Sequence, residues 1–365
     1  MNIEAKEGAY LKRISGLFIR RVKVQTALGL LSRMQLRFEG FQLQKAGDLV
    51  AIPITHPPSA EDENTLRKGL GSFQIQEAFF EPISTGPRNL REAAQGKIPV
   101  DLIPRLPRSF DIVGDIAIIE LPPLLQGYST EVGKAVVRMN PHVRLVLSKS
   151  GEVTGRFRTR ALNALTGTGS METVHREFAC SYHLDVSSVY FNPRLSHERR
   201  RVAEQVTQNE VVVDMFAGVG PYSILIATLQ PAVKVYAVDI NPSAVRYLKD
   251  NVLANKVADR VVPMLGDARE FSKEELKGAA NRVVMNLPSD AEHYLDAALR
   301  ILKSGGGVVH FYQFTSRQVG SELLKTQFRT SVLTQKREVK SFNYCKVVRE
   351  VSPRRVQVAL DAVIV

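Results

Sequence analysis

The sequence predicts an α/β fold with a parallel sheet in its C-terminal half, preceded by an α+β region and a small basic domain. Three observations carry this. From about residue 189 onward, short apolar strands alternate with helical stretches, the order that lays helices on a parallel sheet. Gly218 and Gly220 stand between the first strand of that series and its first helix. Three aspartates, Asp214, Asp239 and Asp267, close successive strands.

In chain order, domains are expected at 1–75, 76–175 and 176–365. Residues 1–57 mix helix-like and strand-like stretches, and residues 48–54 form a β-type run closed by Pro53. Residues 56–64 are polar, acidic and proline-bearing, which suits an exposed loop. Residues 87–94 open a short helix. Residues 109–121, rich in β-branched side chains, read as one strand with a bulge at Gly114. A helix follows, capped by Ser129 and Thr130, with Val132, Ala135, Val136 and Met139 on its apolar face; Gly133 weighs against it. Strands at 144–147, 156–160 and 182–189 complete the middle region. Beyond it come strands at 211–216, 234–239, 261–265, 282–285 and 307–311, with helices at 222–229 and 242–251.

Composition narrows the function classes. Of 365 residues, 44% are hydrophobic, enough for two or three cores, so disorder is excluded as the dominant state. No apolar run is long enough for a membrane span and the N-terminus is too mixed in charge for a signal peptide, so a cytoplasmic protein is expected. Cys180 and Cys345 lie far apart without metal-ligand spacing, so neither a disulfide framework nor a thiolate zinc site is expected. The formal net charge of +12 favours a polyanionic partner without naming it.

The chemistry concentrates at the strand ends. Asp214-Met215-Phe216-Ala217-Gly218-Val219-Gly220-Pro221 lets the backbone turn tightly and approach a ligand in front of a helix N-terminus. The third glycine of a dinucleotide fingerprint is missing, because Ser223 stands there. A carboxylate at Asp214 suits a ligand ammonium and would repel a pyrophosphate. Asp239 is placed to accept both hydroxyl protons of a ribose, and Asp267 to hold an adenine amino group. Asn286-Leu287-Pro288-Ser289 ends the next strand, where an amide on a proline-stiffened turn faces the edge of a planar base. Upstream, residues 196–203 admit a plain structural reading: Ser196 caps a helix, Glu198 lies near its positive end and three arginines face water.

Asp214, Gly218, Gly220, Asp239 and Asp267 at successive strand ends resemble a class I S-adenosylmethionine-dependent methyltransferase, whose Rossmann-like sheet carries the cofactor over its carboxyl edge. Tyr190-Phe191-Asn192-Pro193-Arg194-Leu195-Ser196-His197-Glu198-Arg199, with residues 111–118 upstream and Asn286-Leu287-Pro288 downstream, is similar to the archaeal and eukaryotic tRNA (guanine-N1)-methyltransferases, which modify guanosine 37. The match runs from about residue 108 to 365 and is looser before it.

This resemblance implies a cofactor site of Asp214, Phe216, Gly218, Gly220, Asp239, Ile240, Asp267, Ala268 and Asn286. It also implies substrate contacts from Tyr190, Pro193, Arg194 and Pro288. N1 of guanine carries a proton and is a poor nucleophile, so the reaction needs a base and a cation for O6. The resemblance assigns Glu198 as the base, Arg158 to O6, and Asn286 to orient the base edge; Arg156 and Arg160 share the strand face of Arg158. It implies a monomer gripping tRNA at the anticodon loop and, through the small N-terminal RNA-binding domain, at the outer corner. Lys12, Arg13, Arg20, Arg21 and Lys23 are candidates there, and no metal is needed. Ser289, where a ring is common, and Cys180, where glycine is expected, depart from the pattern and point to a tuned base pocket. The alternatives are a wyosine-pathway transferase, moving an aminocarboxypropyl or a further methyl group at the same position, and a non-catalytic RNA-binding protein.

Overall fold

The computed structural model describes residues 12–82, 86–154, 157 and 159–365, and the chain divides into two compact units, Met1–Gly86 and Pro87–Val365. In the first, β1 (Lys12–Arg20), β2 (Gln44–Ala46), β3 (Leu49–Pro53) and β4 (Gln74–Phe80) form an antiparallel sheet in the order β2-β3-β1-β4. Strand alternation sends Leu17 and Ile19 to one face, where they pack with Ala27 and Leu31 of α1 (Val24–Arg33) and Leu66 and Leu70 of α2 (Ala60–Leu70). Phe18 points the other way, against Ala51 and Phe80.

Residues 60–64 of the polar stretch expected as a loop are instead the start of α2, and 56–59 lead into it without regular structure. Ser59 caps it in a reciprocal box with Asp62, and Glu61, Asp62 and Glu63 sit on its positive first turn. The acidic run that read as solvated loop is helix N-terminal chemistry.

The second unit opens with α3 (Leu90–Ala94), then β5 (Asp111–Val113) and β6 (Ile116–Ile119). The single strand expected over 109–121 is therefore a tight hairpin, turned at Gly114 with φ 58°; a Cβ there would come within 2.0 Å of Thr173 Oγ1. β7 (Leu145–Thr154) and β8 (Thr159–Gly167) extend this sheet in the order β5-β6-β7-β8, covered by α4 (Ser129–Met139). Ser129 does not cap α4: a 3-10 turn, Pro123–Tyr128, runs straight into it. Gly133, unfavourable by propensity, sits where a Cβ would approach Thr166 Cγ2 to 2.8 Å, so it permits close helix–sheet packing.

A hairpin of β9 (Glu172–Glu177) and β10 (Cys180–Asp185) leads through α5 (Ser196–Ala203) into the main sheet. Its parallel part comprises β11 (Val211–Asp214), β12 (Lys234–Asp239), β13 (Val261–Leu265) and β14 (Arg282–Met285), joined by α6 (Pro221–Leu229), α7 (Pro242–Ala254), α8 (Ala268–Phe271) and α9 (Leu295–Ile301). β15 (Gly307–Ser316) completes it. After α10 (Ser321–Thr334), β16 (Val339–Ser352) and β17 (Arg355–Ile364) return antiparallel, giving the order β13-β12-β11-β14-β15-β17-β16. This is the class I methyltransferase architecture.

Val212 faces one core and Val213 the other, as a parallel sheet covered on both sides requires. The strand order reverses between β11 and β14, which opens a crevice at their carboxyl ends. Asn251 of α7 ties the surroundings together, bonding His183 N–H and carbonyl on β10 and the Val219 carbonyl in the glycine loop. Among the described residues no helix is long and apolar enough to cross a membrane.

Candidate active site

The crevice is lined by the ends of β11, β12, β13 and β14, which bring Asp214, Asp239, Asp267 and Asn286 to one edge as their positions in sequence imply. After β11 the chain turns through Gly218 (φ 56°) and Gly220 (φ 93°) into α6. The two glycines serve different needs. A Cβ at Gly220 would lie 2.5 Å from Leu248 Cδ1 and 2.9 Å from Ile224 Cδ1, so packing excludes one. At Gly218 the nearest atom would be the Tyr190 carbonyl oxygen at 3.7 Å, which leaves room for a ligand against the loop.

Asp214 is fully buried. Its Oδ2 accepts the Ser223 hydroxyl at 2.8 Å, and Oδ1 is buried without a partner among the described residues. Burial pushes its carboxyl up to about 7, against the pull of the Ser223 hydroxyl and the backbone N–H groups of Phe216 and Ser223 and with a push from the nearby Asp239 charge. An orphaned, buried carboxylate oxygen is what a ligand ammonium would satisfy. Asp239 accepts Gly218 N–H at 2.7 Å on Oδ2 and Asn241 N–H at 2.8 Å on Oδ1. With the Ile240 N–H also directed at it, the carboxylate retains acceptor capacity for a ribose hydroxyl. Burial pushes the Asp239 carboxyl up, opposed by the N–H groups of Asn241, Gly218 and Ile240.

Asp267 caps α8 through Arg269 N–H at 3.0 Å and is paired with the Arg269 guanidinium at 2.6 Å, so any adenine amino group shares it with that arginine. Phe216 meets Tyr294 edge-on with centroids 4.9 Å apart. Ile240 is half-buried beside Asp239, and Ala268 is buried at the start of α8. The orphaned oxygen, the open Gly218 and the ribose-ready Asp239 fit S-adenosylmethionine.

On the substrate side, Asn286 Oδ1 takes a long hydrogen bond, 3.4 Å, from Gln357 Nε2 on β17. Phe314 N–H on β15 donates to the Pro288 carbonyl at 2.8 Å and stiffens the turn. Tyr190 exposes half its surface, while half-buried Pro193 opens a 3-10 turn capped by Asn192. Arg194 is exposed and paired with Asp111 on β5 at 2.5 Å, which ties the motif to the neighbouring sheet. Arg158 lies outside the described residues.

Glu198 is 7% exposed and anchors a network that sequence reading missed. Arg201 donates to it from Nε (2.9 Å, to Oε2) and Nη2 (2.7 Å, to Oε1), and the Tyr312 hydroxyl donates to Oε1 at 2.7 Å. Tyr222, two residues past Gly220, donates to Tyr312 at 3.2 Å and so links Glu198 to the glycine loop. The last β14–β15 pair is Met285 with Phe311, which puts Tyr312 level with Asn286 at the carboxyl edge.

Arg201 also binds Asp361 on β17 through Nη1 (2.5 Å) and Nη2 (3.1 Å). Asp361 in turn faces His310 Nδ1 at 2.8 Å, and His310 Nε2 faces Arg282 Nη1 at 2.8 Å. A guanidinium only donates, so Nε2 accepts and the imidazole proton lies on Nδ1, toward Asp361. Burial pushes His310 down, in keeping with a neutral ring. Burial alone would raise Asp361, but His310 and Arg201 hold it well below the usual carboxylate range. Arg282 closes the chain on Glu210 at 2.7 Å. Three carboxylates, Glu198, Asp361 and Glu210, thus face two guanidiniums and a neutral imidazole, leaving one net negative charge.

Two expectations are corrected here. Of the three arginines expected to face water, only Arg200 does: Arg199 is 2% exposed in a bidentate pair with Glu177 (2.6 Å to each oxygen), and Arg201 is mostly buried. Nor does Ser196 cap α5, which follows directly from the 3-10 turn Pro193–Leu195. Cys180 is buried, its thiol donating to Thr228 in the last turn of α6, the end remote from the glycine loop. Ser289 is exposed and donates to Asp290. The available signal for the missed residues was a polar side chain inside an apolar strand: His310, Tyr312 and Asp361.

Residues 173–340 match the TRM5/TYW2 methyltransferase domain, and residues 90–170 the TYW2 N-terminal domain. Trm5b of Pyrococcus abyssi, a tRNA (guanine(37)-N(1))-methyltransferase, is 39% identical over 323 residues, covering 88% of this chain and 90% of that protein. Taw21 of Saccharolobus solfataricus, a tRNA 4-demethylwyosine(37)-methyltransferase, is 33% identical over 257 residues, covering 70% of this chain and 93% of its own. The complex structure of aTrm5 and tRNALeu superimposes with a TM-score of 0.65 at 31% identity, covering 95% of this chain and 99% of that one.

Proposed function

The chain belongs to the TRM5/TYW2 methyltransferase family, an S-adenosylmethionine-dependent family of tRNA-modifying enzymes, and on that premise we propose that it methylates N1 of guanosine 37 in tRNA with Glu198 as general base. The observation that carries the reading is Glu198 itself, a buried carboxylate bonded by Tyr312, which stands level with Asn286, in a network with one negative charge to spare. When bound, S-adenosylmethionine supplies an electrophilic methyl group.

Guanine N1 must lose its proton to attack. Glu198 takes it on Oε2, which accepts one hydrogen bond, from Arg201, and keeps a lone pair. Arg201 and Tyr312 fix the carboxylate's direction, so base and nucleophile meet in a set geometry. Asn286, steadied by Gln357, orients the base edge, and Arg158 stabilises charge growing on O6. The exposed Tyr190 ring gives the extruded base a stacking surface, with Pro193, Arg194 and Pro288 around it.

The segments proposed divide this labour: 1–75 at the outer corner of the tRNA, 76–175 carrying Arg158, and 176–365 holding cofactor and target base. Lys12, Arg13, Arg20, Arg21 and Lys23 are exposed on the first unit; Arg13 is partly spent on Glu77 at 2.7 Å, which favours Arg20, Arg21 and Lys23 as phosphate contacts. The test is methyl transfer to a tRNA transcript with guanosine 37 and to one with adenosine there, followed by nucleoside mass spectrometry. N1-methylguanosine from the first transcript alone is expected; product from both, or from neither, overturns the reading.

A second reading has its own support in the match to the TYW2 N-terminal domain and in the likeness to Taw21. Under it, the same pocket acts on a wyosine precursor at position 37, transferring an aminocarboxypropyl or a further methyl group. Offering tRNA that carries 4-demethylwyosine in the same assay separates the two.

A further inference from the structure

We propose that Asp361, through Arg201, and Tyr312, directly, are positioning residues that set the basicity of Glu198 in opposite directions. This rests on Glu198 being the base. A bidentate arginine makes a carboxylate a weak base, because the ion pair favours its charged form. Arg201 is not given over to Glu198, however. Its Nη1 and Nη2 also bind Asp361, which is 1% exposed and therefore attracts the guanidinium with little screening by water.

The consequence appears when the N1–H bond breaks, its electron pair staying on N1 and its proton bonding to Glu198 Oε2. Before that step the network carries one net negative charge; after it, none. Arg201 keeps Asp361 as its counter-ion throughout, so protonating Glu198 leaves no buried cation unpaired. Without the Asp361 charge, the same protonation would strand the Arg201 guanidinium, and Glu198 would resist it. Tyr312 works the other way: its hydroxyl stabilises the Glu198 carboxylate and restrains its basicity.

Glu198 is bonded by Arg201 on α5 and Tyr312 on β15, and Tyr222 on α6 and Tyr344 on β16 stand close enough to feel its charge; Asp361 on β17 lies behind Arg201 and His310 on β15 behind Asp361, while the neighbouring Arg199 on α5 is neutralised by Glu177 on β9. Tyr344 lies under Arg201, with the guanidinium 3.8 Å from its ring centroid. His310 takes no second proton in the working range, since the Arg282 donor occupies its Nε2.

The experiment is the pH profile of single-turnover methyl transfer by the full chain on a guanosine-37 transcript, with thermal melts and tRNA affinity measured for each variant. Asp361→Asn is expected to move the acid limb about one unit lower and to reduce the plateau by at most about tenfold. Tyr312→Phe is expected to move the limb upward. In a variant that folds and binds tRNA, a limb that stays in place or moves the opposite way overturns the proposal. If Asp361→Asn does not fold, Tyr312→Phe decides. Glu198→Gln separates this from failure of the base assignment: wild-type rates in that variant would sink the assignment itself.

Discussion

Gly218 donates its backbone N–H to Oδ2 of Asp239 at 2.7 Å, so the glycine loop after β11 and the carboxylate closing β12 form one hydrogen-bonded unit. Asp239→Ala is therefore expected to cost more than its ribose contacts, because the loop loses its anchor as well. Each hydrogen bond to a charged group contributes about 1.5–3 kcal/mol. Calorimetry of S-adenosylmethionine binding should show affinity reduced on the order of a hundredfold, and unchanged affinity would rule out the ribose role.

The two loop glycines should separate in their effects. Gly220→Ala puts a Cβ into Leu248 and Ile224 at a left-handed backbone position, and is expected to cost at least about 2 kcal/mol in a chemical or thermal melt. Gly218→Ala meets nothing closer than 3.7 Å, so its cost is the left-handed conformation, about 1–2 kcal/mol. Its larger effect is expected on cofactor affinity. Equal stability losses with equal affinity losses would show that the open side of Gly218 does not face the ligand.

If Asp214 holds the ligand ammonium, cofactor binding is expected to depend on pH. Burial raises its carboxyl from the ordinary 3.8 to about 7, so between those values the folded chain holds a proton that the unfolded chain has lost. Its contribution to stability is fully present below about 4 and declines as pH rises to about 7. Asp239, shifted in the same direction, adds to that slope. A bound ammonium favours ionised Asp214, so affinity for S-adenosylmethionine is expected to rise with pH through about 7. In Asp214→Asn, melts and calorimetry across pH 5 to 8 should lose this component of both slopes; unchanged slopes would remove Asp214 from the cofactor site.

Cys180 is predicted to be a packing residue. It is buried against Thr228 at the far end of α6, so Cys180→Ala should lower the melting temperature by a few degrees at roughly 1 kcal/mol. Its KM for tRNA should stay at the wild-type value, and a raised KM would show instead that Cys180 shapes the base pocket.

The strand-end residues were legible because each sits where a local pattern, apolar strand then turn then helix, fixes its place on the sheet. Asp214, Asp239, Asp267 and Asn286 needed no tertiary contact to be placed. The network around Glu198 was not legible, since Arg201 and Asp361 are 160 positions apart and meet only because β17 inserts beside β15. Local chemistry also misled. The acidic stretch beginning α2 and the hairpin at Gly114 each carry turn and loop residue types that serve a cap and a two-strand reversal. Arg199 and Arg201 read as solvated because sequence spacing does not reveal Glu177 and Asp361 waiting beneath them.

Removal of the N1 proton by Glu198 is measured by the single-turnover rate of Glu198→Gln on a guanosine-37 transcript. The substitution keeps the side chain's size and removes its ability to take a proton. The expected rate is roughly two to four orders of magnitude below wild type, with affinity for tRNA and S-adenosylmethionine nearly unchanged. A rate within a few-fold of wild type would contradict it.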